Sequence, residues 1–365
     1  MEFILQDDMT TDITLNHVSS NLQTTAIVVI GLFAIFSILF NMILLITILL
    51  SRKLRSVQLF ILFCNLAILN ILDIVSGMFI PLLFIINANW LFNMTLCRWN
   101  ATLEQFIDIE VLMSMMLMAI ERSILSYFPN QLIFKHWRTL AFIIVLWTIS
   151  ICLAIPMLTH HIPVRPFEFR FNCNISRKVP ILYPIVYILI YVSCLIIILI
   201  CFAALLSRNN QYKNQSLPTR CNFEVHRNNL NLSKLVLFLI ILFILLNGPY
   251  IILNFFIQIR NSNKILKDDY AFNIPHDGDI ILNWLRFMYP LLAPILIYAS
   301  CAEIWLNVQR FIFCHKSEAV QIRRYSNERD RKEITIDHTS NDRHTSEPVN
   351  VSEIVKPMNV PNYLI

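Results

Sequence analysis

Three acidic side chains, those of Asp73, Glu104 and Asp108, lie within long, predominantly apolar stretches of sequence, and the stretch with Glu104 and Asp108 is the least apolar of them. Glu104 and Asp108 are four residues apart, so a helix places both carboxylates on one face. Ionisable groups in such segments are costly, and they normally face an interior cavity and pair with another group. Two interpretations stay open: the acids bind a cationic ligand group, or Arg286 neutralises one carboxylate while another is protonated.

The segments that carry these acids are long and apolar enough to cross a membrane. The chain is 56% hydrophobic and only 15% charged, and its mean hydropathy is +0.60. A transmembrane helix needs about 20 predominantly apolar residues. Seven segments meet this need: 24–50, 57–86, 98–126, 139–158, 179–206, 233–259 and 279–301. The sequence therefore predicts an all-α membrane protein, a bundle of seven transmembrane helices, and not a water-soluble enzyme.

The composition also argues against nucleotide and nucleic-acid chemistry. The chain has four glycines and no two of them are two residues apart, so neither a dinucleotide fingerprint nor a phosphate-binding loop can form. The formal net charge of +5 comes from basic residues in short segments between apolar runs, which membrane orientation explains. We therefore expect no nucleic-acid partner, no cofactor and no metal.

The distribution of basic residues predicts an extracellular N-terminus. Residues 1–23 contain acids but no Lys or Arg, whereas the loop after the first segment contains Arg52, Lys53 and Arg55. Cytoplasmic loops are enriched in Lys and Arg, and the first helix usually dominates orientation. The basic loop between the fourth and fifth segments disagrees with this assignment. Because residues 1–23 lack the pattern of a cleavable signal peptide, we expect the first helix to direct insertion into the plasma membrane.

The regions outside the bundle, which is predicted for residues 24–301, differ from it in character. Residues 1–23 would form an extracellular tail. Apolar residues at helical spacing in 302–314 predict an amphipathic helix at the membrane interface. Residues 315–365 are polar and show no sustained period, which predicts a disordered cytoplasmic tail.

Motifs at the two ends of the third segment indicate a family. Cys97 lies at its start and Glu121-Arg122-Ser123 at its end, so that about 37 Å of helix separates Cys97 from Arg122. Pro129 follows Arg122 after seven residues. This arrangement resembles the Asp/Glu-Arg-Tyr motif and second-loop proline of rhodopsin-like G-protein-coupled receptors. The resemblance extends over roughly 25–314 and includes Asn41, Leu66, Ala67, Asn70, Trp147, Pro156, Phe243, Pro249, Tyr250 and Tyr298.

The resemblance implies a receptor that converts binding of an extracellular ligand into activation of a heterotrimeric G protein. It implies that Arg122, paired with Glu121, lies near the inner ends of the third and sixth helices until an agonist moves the sixth helix outward. Pro249 would be the pivot of that movement. Tyr298 matches the tyrosine of the family's Asn-Pro-x-x-Tyr signature, and we include it with Glu121, Arg122, Pro129 and Pro249 as the predicted switch residues, those that would take part in this conformational change. Arg122 could instead be only a basic anchor at the cytoplasmic edge. The family also implies a kinase and arrestin as partners of the C-terminal tail.

The resemblance implies covalent features as well. Cys97 and Cys173 match the family's disulfide between the third helix and the second extracellular loop. Asn93 and Asn174 lie in glycosylation sequons on the predicted outside. Cys314, at the end of the amphipathic segment, is placed for palmitoylation, with an unmodified thiol as the alternative.

Several positions depart from the family pattern. Asn70 replaces the usual aspartate of the second helix, Val111 occupies a position that is usually polar, and Ala293 stands in place of the seventh-helix asparagine. Together these changes would abolish the family's sodium site. Asn247 stands where the family's switch tryptophan usually lies, and we include it among the candidate ligand contacts.

The ligand class is narrowed by two further features. Glu104 lies seven residues after Cys97, where amine receptors of the family carry their ligand-binding aspartate, and Asp73 faces the same cavity. Residues 167–173 alternate between apolar and polar types, as half-buried strands do. This alternation resembles the hairpin lid of peptide receptors, although any loop held by a disulfide can be extended. A peptide is favoured over a cationic amine or a chemosensory ligand.

Two other classes of protein stay open. A multi-pass transporter or channel would more often show internal repeats or helices broken at the membrane midplane, and no such repeat is visible in the chain. A non-signalling decoy with receptor architecture is compatible with the departures at Asn70, Asn247 and Ala293.

Overall fold

The computed structural model describes residues 20–87, 94–128, 136–159, 161–162, 164–167, 172–175, 180–213, 220–260 and 276–312. The first helices are α1 (Ser20–Leu50), a short turn (Arg52–Arg55) and α2, which runs as Gln58–Ile74, a π-helical turn Val75–Phe79 and Ile80–Asn87. They are followed by α3 (Met94–Tyr127), α4 (His136–Leu158), strands β1 (Val164–Phe167) and β2 (Asn172–Ile175), α5 (Leu182–Lys213), α6 (Arg220–Arg260), α7 (His276–Ser300) and α8 (Ala302–Ile312).

The transmembrane bundle is built around α3. Six helices of the described part of the chain, α1, α2 and α4 to α7, are long and apolar enough to cross a membrane. The less apolar α3 contacts α2, α4, α5, α6 and both strands, so much of its surface meets protein and not lipid. A helix in this position can carry polar groups because neighbouring helices satisfy them. The predicted all-α bundle of seven helices is confirmed.

The two prolines of α7 create a backbone group that another helix satisfies. Pro294 has no N–H, so it cannot donate to the carbonyl of Pro290 four residues earlier. The side chain of Asn41 on α1 donates Nδ2 to this carbonyl at 2.8 Å. Its Oδ1 accepts a hydrogen bond of 2.9 Å from Nδ2 of Asn70 on α2. Neutral amides therefore tie α1, α2 and α7 together.

A second buried network joins α2, α3 and α4 around Glu110, which is 0% exposed. Its carboxylate accepts from Ser114 Oγ at 3.3 Å and from Ser150 Oγ at 2.7 Å. Ser114 in turn accepts from Asn65 Nδ2 at 2.7 Å, and Asn65 Oδ1 accepts from the indole N–H of Trp147 at 3.0 Å. The carboxyl group thus lies on the α4 side of α3 and fills hydrogen-bonding positions there.

Glu110 should tolerate loss of charge better than loss of its polar head. The described residues place no cation within ion-pair distance of it, so an amide can take over its hydrogen bonds. We expect Glu110→Gln to keep nearly the wild-type stability, and Glu110→Ala to lose roughly 1 to 3 kcal/mol because buried hydroxyls lose their partner. Thermal unfolding of the purified receptor in a single detergent measures both. A larger loss for Gln than for Ala would show that the negative charge itself is required.

The chain divides into two compact units, residues 1–304 and 305–365. Helix α8 is observed where the amphipathic segment 302–314 is predicted, and its contact with the membrane stays a prediction. Most of the predicted extracellular tail and all of the predicted cytoplasmic tail lie outside the described residues.

Candidate functional site

The structure brings the three predicted acids together around one arginine. Arg286 on α7 is 1% exposed, and its Nη1 donates to Glu104 Oε1. Its Nη2 lies 2.9 Å from Asp73 Oδ1 and 3.3 Å from Asp108 Oδ1. Arg286 therefore contacts all three carboxylates, whereas the sequence suggested one pairing. The guanidinium joins α2, α3 and α7 inside the bundle.

The π-helical turn of α2 allows this approach. Gly77 lies in the turn, and a Cβ atom there would come within 3.3 Å of Asp73 Oδ1 and 3.4 Å of Phe287 Cε1 on α7. The missing side chain therefore lets α7 lie close to Asp73. Within the same turn, the Ser76 carbonyl accepts a hydrogen bond of 2.8 Å from Asn100 Nδ2 on α3. Such local irregularities are frequent at functional sites.

The cluster contains more acidic than basic groups among the described residues. Its ion pairs join three carboxylates to one guanidinium, so with every group ionised the sum is three negative charges and one positive charge, or −2. Asp73 and Glu104 are only 7% and 4% exposed. Burying unbalanced charge costs several kcal/mol per ion. The surplus must therefore be balanced, by protons or by a further cation, and both interpretations of the acids stay open on this point.

Tyr250 connects this cluster to α6 and to the extracellular strands. Its hydroxyl donates to Glu104 Oε1 at 3.1 Å and accepts from Asn174 Nδ2 at 3.3 Å. Arg286 Cζ lies 5.0 Å from the centre of its ring, within the range of cation–π attraction. Tyr250 was not among the site residues predicted from the sequence. The sequence could have indicated it, because a tyrosine inside an apolar helix needs a hydrogen-bond partner for its hydroxyl.

The two strands form an antiparallel hairpin that a disulfide holds to α3. Cys97 and Cys173 are bonded, with their Cα atoms 5.3 Å apart, which confirms the predicted pairing. The Cys173 N–H also donates to Asn100 Oδ1 at 3.1 Å. In β1 and β2, Phe167 pairs with Asn172, so the ends of the predicted extended segment are strands. Its middle, 168–171, lies outside the described residues.

Asn174 is only partly exposed, and its side chain is hydrogen-bonded within the protein. Its Nδ2 donates to Tyr250, and its Oδ1 accepts from the Ile175 N–H at 2.7 Å. An N-linked glycan replaces one of the two hydrogens of Nδ2, so after modification only one N–H would be left to donate to Tyr250. Glycosylation of Asn174 stays a prediction.

Asn247 is buried on α6, with 4% of its surface exposed. Its Nδ2 has no hydrogen-bond acceptor among the described residues, and the same holds for the hydroxyl of Tyr289 on α7. The Tyr289 ring packs edge-on against Phe243 at 5.4 Å between centroids. A buried donor without an acceptor is costly, so a ligand acceptor or water would be favoured here. A role for Asn247 in ligand binding stays a prediction.

At the other end of α3, Glu121 and Arg122 form a closed ion pair. Both side chains are buried, and Arg122 Nε and Nη2 donate to the two carboxylate oxygens of Glu121. Tyr298 on α7 donates to the Phe40 carbonyl of α1 at 2.7 Å. Pro249 lies within the continuous helix α6. The structure thus places these four predicted switch residues in α3, α6 and α7.

Three predicted residues lie outside the described part of the chain: Pro129, Asn93 and Cys314. Their predicted roles, in the second cytoplasmic loop, as a glycosylation site and as a palmitoylation site, stay predictions.

Comparison with known proteins agrees with this architecture. The model of the 7 transmembrane receptor (rhodopsin family) matches residues 40–298. Human melanin-concentrating hormone receptor 2 is 26% identical over 233 residues, covering 60% of this chain and 67% of that protein. The crystal structure of squid rhodopsin superposes with a TM-score of 0.69 at 14% identity, covering 82% of this chain and 88% of that one. The chain therefore belongs to the rhodopsin family of seven-transmembrane receptors, which are signalling receptors and not enzymes.

Proposed function

We propose that this receptor, with its N-terminus outside the plasma membrane, converts binding of a ligand with a cationic group into activation of a heterotrimeric G protein. The supporting observation is the surplus of carboxylates over Arg286 at a site shared by α2, α3 and α7. The hairpin beside this site favours a peptide, with a cationic amine or a chemosensory ligand as alternatives. The similarity to a hormone receptor supports an extracellular signalling ligand.

A ligand cation would compete with Arg286 and Tyr250 for the carboxylate of Glu104. It accepts from both Arg286 and Tyr250, and each of these donors lies on a helix other than α3. A ligand cation that takes over Glu104 weakens both contacts and so loosens α6 and α7 from α3. Tyr250 directly follows Pro249, whose missing backbone hydrogen bond makes α6 easiest to bend at this position.

Arg122 is the residue that would meet the G protein. In the closed pair its guanidinium is occupied by Glu121 on the same helix. Movement of the cytoplasmic end of α6 away from α3 would open a crevice in which Arg122 can turn from Glu121 to a partner. Pro129 belongs to the same proposed coupling set, and Tyr298 would change its contact with α1.

Further features complete the proposal. Glycans at Asn93 and Asn174 would mark the outer face, and a palmitoyl chain on Cys314 would attach α8 to the inner leaflet. Residues 315–365 would be phosphorylated by a kinase and bound by arrestin.

Nucleotide exchange on purified G proteins tests the coupling step. The receptor, basal or stimulated by members of a peptide and amine library, should accelerate exchange on at least one G-protein class. Arg122→Ala should abolish this acceleration at unchanged surface expression. Arg138→Ala is the matched control, because it removes an exposed positive charge from the same end of the bundle and should leave exchange intact.

Other outcomes would contradict the proposal in distinguishable ways. A folded surface receptor that stimulates no G-protein class would favour the non-signalling decoy. Solute or ion flux through the receptor in vesicles would favour a transporter or channel. Full exchange by Arg122→Ala would reduce Arg122 to a basic anchor.

A further inference from the structure

A concave groove of about 810 Å³ opens on the outside of the bundle between α1, α2 and α4. Along α4 it extends from His136 to Ile151, which is about 22 Å of helix. This length is comparable with one leaflet including its headgroups, since a bilayer with both headgroup regions is about 40 to 45 Å thick. The end at His136 also contains the turn between α1 and α2. It is the end of the bundle at which α3 carries Arg122.

The wall of the groove is apolar even where it contains polar side chains. The indole N–H of Trp147 points inward to Asn65, so the ring presents its apolar surface. Asn65 also donates to Ser114 in the interior. Thr148 donates to the Ile144 carbonyl of its own helix at 2.8 Å. Because these polar atoms are already bonded within the protein, the wall favours a hydrocarbon chain.

The end of the groove at the α1–α2 turn is basic. Arg52 and Arg55 both line it and are exposed, and their spacing of three residues places them on one face of the helical turn. The buried side chain of Leu54 fixes this turn against the bundle, and Ser51 Oγ accepts from the Leu54 N–H at 3.4 Å. The described residues place no carboxylate within ion-pair distance of either arginine.

Lys53, on the same turn, is directed elsewhere. It does not line the groove, and its Nζ lies 3.7 Å from Glu303 Oε1. The turn therefore separates its three basic residues into one with an acidic neighbour and two that border the groove. Guanidinium groups bind phosphate oxygens through two parallel hydrogen bonds, so this pair is suited to a phosphate at the membrane surface.

We infer that this groove binds one anionic phospholipid of the adjacent leaflet. The phosphate of the headgroup contacts Arg52 and Arg55, and an acyl chain lies along α4 towards Ile151. Charge complementarity selects this occupant over a sterol or a zwitterionic lipid, because only an anionic headgroup leaves net negative charge beside two arginines. Attraction of a basic residue to an anionic leaflet corresponds to roughly fivefold in affinity per charge.

Native mass spectrometry of the full-length receptor in detergent tests this inference. The probes are phosphatidylserine and phosphatidylcholine with identical acyl chains. We expect one phosphatidylserine to be retained in preference to phosphatidylcholine, and the double variant Arg52→Gln/Arg55→Gln to lower its retention more than tenfold. Lys53→Gln is the matched control from the same turn and should retain the lipid as the wild type does.

A second pair of variants tests the apolar part of the groove. Ile144→Trp fills the groove and should lower retention of phosphatidylserine severalfold, whereas Val145→Trp, at an exposed neighbouring position outside the groove, should not. The thermal midpoint of each variant identifies those that fail to fold. Equal retention of both phospholipids, or equal loss in Lys53→Gln, would overturn the inference. Displacement of the lipid by cholesterol, with no dependence on Arg52 and Arg55, would make a sterol the occupant.

Discussion

Arg286→Gln is expected to lower the stability of the receptor by about 3 to 5 kcal/mol and to remove most of it from the cell surface. Removing one partner of a buried ion pair leaves its counter-charge uncompensated in a medium of low dielectric constant. Here one guanidinium faces the buried Asp73 and Glu104 and the partly exposed Asp108, so its loss leaves these three acids without a basic neighbour in the described cluster. Surface labelling of an epitope-tagged receptor and thermal unfolding in detergent measure the two effects.

Neutralising an acid in the same background is the matched control. Arg286→Gln combined with Glu104→Gln removes one carboxylate together with the guanidinium, so it should recover part of the lost stability and expression. Arg286→Gln combined with Glu110→Gln removes a carboxyl group that belongs to a different network and should recover nothing. Wild-type stability of the single variant would show that the three acids are neutral in the native protein without help from Arg286.

The sequence was sufficient to identify the helices and the acidic face, but not the closeness of α7 to that face. The spacing of Glu104 and Asp108 follows directly from the period of a helix. The contact of Arg286 with Asp73 depends in addition on the close approach of α7 to α2 at the π-helical turn Val75–Phe79, where Gly77 has no side chain to separate Asp73 from Phe287. Such a turn leaves no mark in hydropathy, because its residues are as apolar as the rest of the segment. Gly77 was the one visible clue to close packing there.

In the seventh helix, by contrast, a known rule predicts part of the observed contact. On sequence alone, Ala293 in place of an asparagine indicates only the loss of a polar side chain. The rule that proline frees the carbonyl four residues earlier predicts an unpaired Pro290 carbonyl. Asn41 satisfies it from α1. The identity of the donor helix, however, depends on tertiary packing and could not be read from the chain.

Glu104→Gln is expected to reduce agonist affinity while leaving expression close to that of the wild type. A carboxylate that binds a ligand cation away from water contributes roughly 2 to 5 kcal/mol, which corresponds to about 30-fold to several-thousand-fold in Kd. The amide keeps an oxygen that can accept from Tyr250, and Arg286 keeps Asp73 and Asp108 as partners. Concentration–response curves for an agonist identified in the library screen measure the loss.

The comparison with Glu110→Gln separates ligand binding from general effects of altering a buried glutamate. Both residues lie on α3 and are nearly inaccessible, but Glu110 bonds to serines while Glu104 contacts Arg286 and Tyr250. Potency should therefore fall for Glu104→Gln alone. If expression collapses for Glu104→Gln and Arg286→Gln restores it, the acid belongs to an internal ion pair. Unchanged potency at normal expression would remove Glu104 from both roles, because neither a ligand cation nor Arg286 would then depend on its charge.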